Sequence, residues 1–174
     1  MANTYTLIAK VTVGSGGSST VSFTSIPSTY NNLQVLYMAR CDHASTRQNL
    51  YINFNSDTTA SNYSWNGIYG YYSGGSNQTG GNNGAYKIVG DVSGANSAAN
   101  AFVNGSVFIG GYTSSYKKNV WGDPALHSTD TDIFRSQYNN TWTGTGSIST
   151  IDFTLANGSF VQNTTFYLYG ISNT

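Results

Sequence analysis

The chain of 174 residues contains no glutamate, one cysteine, two prolines and few charges of either sign: Lys, Arg and Asp together make up 8%. Each shortage excludes something. With seven acids, all Asp, at positions 42, 57, 91, 123, 130, 132 and 152, few carboxylates are available for paired acid–base chemistry. Most of these aspartates sit in turn-like surroundings, where the side chain bonds its own backbone. A single cysteine, Cys41, permits no internal disulfide. It stands at the end of the apolar run 35–41 and reads as a small buried hydrophobe. Seven Lys and Arg against seven Asp give zero net charge. Lys117-Lys118 reads as a solvated pair, and no basic stripe exists to collect phosphates, so nucleic acid is not an expected partner. No apolar stretch has membrane-spanning length, and no membrane partner is expected. Residues 1–5 lack the basic-then-apolar order of a signal peptide.

Ser, Thr, Asn and Gly supply roughly half of the chain, with 14 Tyr and 8 Phe beside them. The surface is therefore one of amides, hydroxyls and phenols. Low net charge favours self-association, and such a surface suits a protein that lives in an assembly. The 39% hydrophobic content, gathered in short runs, argues against disorder.

Alternation with period two runs through the chain. Tyr5, Leu7, Ala9, Val11 and Val13 share a face, Gly14–Ser19 is a loop, and Val21 and Phe23 resume the pattern, together a predicted β-hairpin. Leu33–Arg40, apolar on both sides, predicts a central strand covered on both faces. Leu50, Ile52 and Phe54 alternate, and Trp65–Tyr72 is an aromatic strand interrupted by glycines. The segment 73–84 contains no apolar residue and predicts a long, exposed, mobile loop. Ile88-Val89, Phe102–Ile109, Asn119–Trp121, Ile133–Tyr138, Ile151–Leu155 and Phe166–Ile171 follow. Turns are expected at Gly122-Asp123-Pro124 and Asn139-Asn140, and Gly94–Asn100 and Pro124–His127 could each form one helical turn. On the order of ten strands of the usual length, separated by polar turns, define an all-β protein. The expected architecture is an antiparallel two-sheet β-sandwich, jelly-roll-like, in one domain over 1–174, with residues 1–4 as a possible N-terminal arm.

Candidate chemistry is sparse. Asp123, His127, Asp130 and Asp132 form the tightest polar cluster, but the cluster lacks the glycine and the closing glutamate of a calcium loop, so no metal is assigned. Cys41, Asp42 and His43 are adjacent on an extended chain and point in different directions, which argues against a nucleophile and its base. The paired glycines at 74–75 and 80–81 lack the lysine and helix of a phosphate loop. No catalytic residue and no cofactor is expected. The stronger signal is aromatic: Tyr63, Trp65, Tyr69, Tyr71 and Tyr72, flanked by Asn62 and Asn66. Such residues suit core packing, a protein interface or stacking on a sugar ring.

Several segments, in order, resemble a β-domain of tailed-phage virion proteins. They are 5–9 (YTLIA), 21–30 (VSFTSIPSTY), 33–36 (LQVL), 53–57 (NFNSD), 62–64 (NYS) and the closing 166–171 (FYLYGI). In that family the domain occurs in capsid decoration (cement) proteins and in tail-fibre or head-fibre proteins. The resemblance implies no enzymatic activity and no cofactor. It implies a particle-surface location, with synthesis in the host cytoplasm and no signal peptide. With no shaft or attachment domain in the chain, the expectation is a decoration protein, a homotrimer bound to the major capsid protein. The alternative is a fibre-tip module that binds a host cell-surface glycan through the 63–72 aromatics.

Overall fold

The structure is a computed structural model and describes residues 4–71, 77–83, 87–129 and 132–172. Twelve strands build two antiparallel sheets. They are β1 (Tyr5–Thr12), β2 (Thr20–Phe23), β3 (Asn32–Ala39), β4 (Arg47–Phe54), β5 (Tyr63–Tyr71) and β6 (Asn77–Asn83). Then come β7 (Ile88–Ser93), β8 (Val103–Ile109), β9 (Lys118–Thr129), β10 (Asp132–Trp142), β11 (Ile151–Leu155) and β12 (Thr165–Ile171). The large sheet has the order β1-β12-β3-β8-β9-β10-β5-β6, the small one β2-β11-β4-β7. One 3-10 turn at Ala60–Asn62 is the helical structure among the described residues. The two-sheet antiparallel sandwich is thus the observed architecture.

Alternation sets the core. Leu33, Val35, Tyr37 and Ala39 of β3 face Leu50, Ile52 and Phe54 of β4 and Phe153 of β11, all buried. Phe166 stacks on Phe153 at 4.9 Å between ring centres and meets Tyr37 at 5.4 Å. Each fully buried aliphatic or aromatic side chain contributes about 1.5–3 kcal/mol. Strand β7 is buried along its whole length. It packs against β8, β9 and β10 of the large sheet.

The structure corrects several sequence expectations. Strands β1 and β2 are not a hairpin: β1 pairs with β12, β2 with β11, and the 14–19 loop carries the chain from one sheet to the other. Period-two alternation locates a strand but not its partner. Strand β3 is central, between β12 and β8, yet only one face is covered, because Leu36 and Met38 are exposed. The 73–84 segment is not one long loop: residues 77–83 form β6, paired with β5 at the edge of the large sheet, and 73–76 and 84 lie outside the described residues. Gly80 and Gly81 sit in that strand, where a Cβ on Gly80 would come within 3.1 Å of the Trp65 ring and one on Gly81 within 3.1 Å of the Trp65 carbonyl oxygen.

The expected turns at 122–124 and 139–140, and the helical turn at 124–127, are continuous strand in β9 and β10. Pro124 is accommodated opposite Gly105 of β8, while the named pairs with β10 pass from Gly122↔Tyr138 to Ala125↔Arg135. A residue without an N–H is tolerated where the ladder does not need one. Of the proposed N-terminal arm, residues 1–3 lie outside the described residues; the Thr4 carbonyl accepts the Ser172 N–H, which ties it beside β12.

Candidate functional site

Two surfaces follow from this architecture. The first is the outer face of the large sheet. Cross-strand register lines up Leu7, Tyr169, Gln34, Phe108 and Trp121 in one row across five strands. The next row reads Lys10, Tyr167, Leu36, Ser106 and Asp123, and the one after it Thr12, Thr165, Met38, Asn104 and Ala125. Among the described residues, every exposed large apolar side chain except Tyr116 lies on this face: Tyr5, Leu7, Leu36, Met38, Ile68 and Trp121, each 41% to 55% exposed. Leu36, Met38, Asn104, Tyr167 and Tyr169 border a shallow hollow of about 330 Å³. A second hollow, sharing Met38 and Asn104, reaches Phe102 and Asn163. The charges here are muted. Asp123 and Arg135 pair at 2.9 and 3.1 Å, and the Lys10 ammonium lies over the Tyr167 ring at 5.2 Å.

The second surface is a cleft on the opposite side of the large sheet. There β10 and β5 extend past the β7 edge of the small sheet. Arg47 and Asn49 of β4 and Ile88 of β7 form one side; Trp65, Tyr69 and Tyr138 form the other. Asp91 is the fixed point beneath it. Fully buried, it accepts hydrogen bonds from Arg47 Nη1 at 3.0 Å, Ser136 Oγ at 2.6 Å and the Tyr138 hydroxyl at 2.9 Å. Burial pushes its carboxyl up, against the downward pull of Arg47 and of the two hydroxyls. The Arg47 guanidinium also lies over the Phe134 ring at 4.0 Å.

The sequence-predicted aromatics divide. Tyr63 is a core residue, 1% exposed. Its hydroxyl accepts the Phe54 N–H at 3.0 Å and donates to the Asp57 carbonyl at 2.9 Å, so it cannot contact a ligand. Trp65 and Tyr69, two and six residues after Tyr63 and so on the same face of β5, reach the cleft. Tyr71 is described as the end of β5 without its side chain, and Tyr72 lies outside the described residues. Arg47, Asn49 and Tyr138 were missed because they come from strands distant in sequence. The outer face was missed because Leu36 and Met38 read as buried.

The polar clusters resolve differently. Asp123 is engaged by Arg135; Asp130 and the side chains of His127 and Asp132 lie outside the described residues. Cys41 is buried as expected, and burial pushes its thiol up. The Asp42 carboxylate accepts the Ser159 N–H at 2.7 Å, while His43 Nδ1 meets Gln48 Nε2 at 2.8 Å. Lys118 is not solvated: it is fully buried and donates to the carbonyls of Ser114 and Tyr116 at 2.7 and 2.6 Å. Burial lowers its affinity for the proton.

The fold and these surfaces define an all-β sandwich with one open, apolar, weakly charged sheet face. Comparison with family models, with curated proteins and with solved structures returns no match to this chain.

Proposed function

We propose that this chain is a structural virion protein, a capsid decoration (cement) protein that seats the outer face of its large sheet on the phage capsid and stabilises the head. The observation that supports this most is the collection of Leu7, Leu36, Met38, Trp121, Tyr167 and Tyr169 on one uncovered face. Isolated exposed apolar residues are ordinary, but a contiguous patch marks an interaction surface. Aromatic and Met side chains at the centre, with Asn, Gln, Ser and Thr around them, have the composition of a protein interface. The resemblance of ordered segments of this chain to phage virion β-domains supports the major capsid protein as the partner. A homotrimer fits a seat on a lattice junction, and the reading needs neither catalysis nor a cofactor.

Quantitative mass spectrometry of purified particles tests it. A copy number comparable to that of the major capsid protein is expected. A number too small to cover the shell would move the chain to a fibre, and absence from particles would remove the virion role.

A further inference from the structure

We infer that the cleft between β4–β7 and the β10–β5 end of the large sheet is a binding site for a single ring of a neutral sugar. The inference rests on side chains of the opposite sheet face and is independent of the capsid reading.

The size comes first. The cleft holds about 190 Å³, below the roughly 300–1,000 Å³ of sites that take drug-sized ligands. One ring fits, and a longer chain would have to leave through the open side. The walls come next. Trp65 and Tyr138 stand 6.1 Å apart at an angle of 58°, so the cleft is bounded by tilted aromatic rings with Tyr69 beside them. Aromatic faces bind the C–H surface of a sugar, while the polar edges of Tyr and Trp and an adjacent amide serve its hydroxyls. Asn49 brings both a donor and an acceptor. The Trp65 indole carries a further donor: its Nε1–H is buried without a hydrogen-bond partner among the described residues. Its cross-strand neighbour Asn140, buried behind the cleft lining, also has no partner for either amide atom among the described residues. An unmet buried polar group costs about 1–3 kcal/mol, so a sugar oxygen that reaches the Trp65 Nε1–H is favoured.

Charge selects the class. The positive charge of Arg47 is matched at 3.0 Å by Asp91, and the Asp91 oxygens are taken up by Arg47, Ser136 and Tyr138. An anion therefore finds an already neutralised guanidinium, and a cation finds no accessible carboxylate. A neutral, hydroxyl-rich ring is what the remaining groups recognise.

The test is a titration of ¹⁵N-labelled protein with glucose, galactose, mannose, N-acetylglucosamine and glucuronate, each to about 100 mM, the range suited to a millimolar Kd. The readout is the indole N–H signals of Trp65, Trp121 and Trp142, with that of Trp65 assigned by Trp65→Phe. At least one neutral sugar is expected to shift the Trp65 signal saturably and leave that of Trp121, on the other face, in place. Asn49→Ala, partly exposed and outside the core, is expected to weaken that sugar about tenfold, and it carries the test by itself should Trp65→Phe fail to fold. Glucuronate is expected to bind no tighter than glucose. No saturable shift with any neutral sugar, an unchanged affinity in Asn49→Ala, or clear preference for glucuronate would each overturn the assignment. Leu36→Lys on the outer face should leave the titration untouched, so failure of this site and failure of the capsid reading can be told apart.

Discussion

Asp57 shows how much a single side chain organises here. Its carboxylate accepts the Trp142 Nε1–H and an Asn62 amide N–H, both at 2.8 Å, and the Thr59 N–H at 3.0 Å. Burial alone would raise its proton affinity, but the hydrogen bonds outweigh burial and hold the carboxyl down at about 2. With the folded value below the unfolded one, the stabilisation is present above the unfolded carboxylate value near 4 and is lost as pH falls toward 2. Asp57→Ala is expected to cost about 1–3 kcal/mol at pH 7, chiefly by orphaning the Trp142 indole. In urea unfolding the gap from wild type should narrow steadily as pH drops to 2; a gap independent of pH would contradict the assignment. At this scale the sequence was only partly legible. It showed most of the aspartates in turn-like surroundings and the aromatics clustered on one strand, but an aromatic strand has two faces. Whether Tyr63 and Trp65 face core, cleft or solvent depends on how far the opposite sheet extends. Lys118 was unreadable for a different reason: the carbonyls that receive its ammonium lie four and two residues before it, in a loop whose conformation the sequence does not reveal.

Strands themselves were legible wherever apolar and polar residues alternate, as in Leu50, Ile52 and Phe54 or Val103, Val107 and Ile109. Pairing was not. Strand β6 has no apolar residue at all and forms because β5 offers it a ladder; β9 runs through Gly122-Asp123-Pro124, which by itself signals a turn. At Gly122 the two sheets approach closely. A Cβ there would lie 1.8 Å from the Val89 carbonyl oxygen of β7, which backbone adjustment must relieve. Gly122→Ala is therefore expected to destabilise the protein by about 1–3 kcal/mol, seen as a lower urea midpoint with an unchanged slope. A midpoint equal to wild type would mean that β7 does not rest on β9. Across the cleft, Asp91→Ala removes the side chain through which β7 holds Ser136 and Tyr138 of β10 and leaves Arg47 without its carboxylate. A loss of about 3–5 kcal/mol is expected, and a loss below about 1 kcal/mol in the same assay would show that the tie is dispensable.

The whole molecule is a sandwich with unlike surfaces. The small sheet covers part of one side of the large sheet, leaving an aromatic cleft at its end. The other side of the large sheet carries apolar residues with little charge. The low charge noted in the composition acquires a location here, which no count of residues could supply. Because capsid attachment through this face would rest on apolar burial, with Asp123 and Arg135 already paired, we expect it to survive about 1 M NaCl, where the screening length falls to roughly 3 Å. Release at moderate salt, followed by sedimentation of particles, would contradict that expectation.

The most direct measurement is the occupancy on particles of a Leu36→Lys, Trp121→Lys double variant. Both side chains point away from the core, so its urea stability should stay within about 1 kcal/mol of wild type, roughly ±0.5 for each surface substitution. Mixed with particles lacking the protein, it should show at least about a tenfold loss of binding, since charges placed at the centre of an apolar interface must be desolvated. Full occupancy by this folded variant would show that the outer face is not the surface that docks.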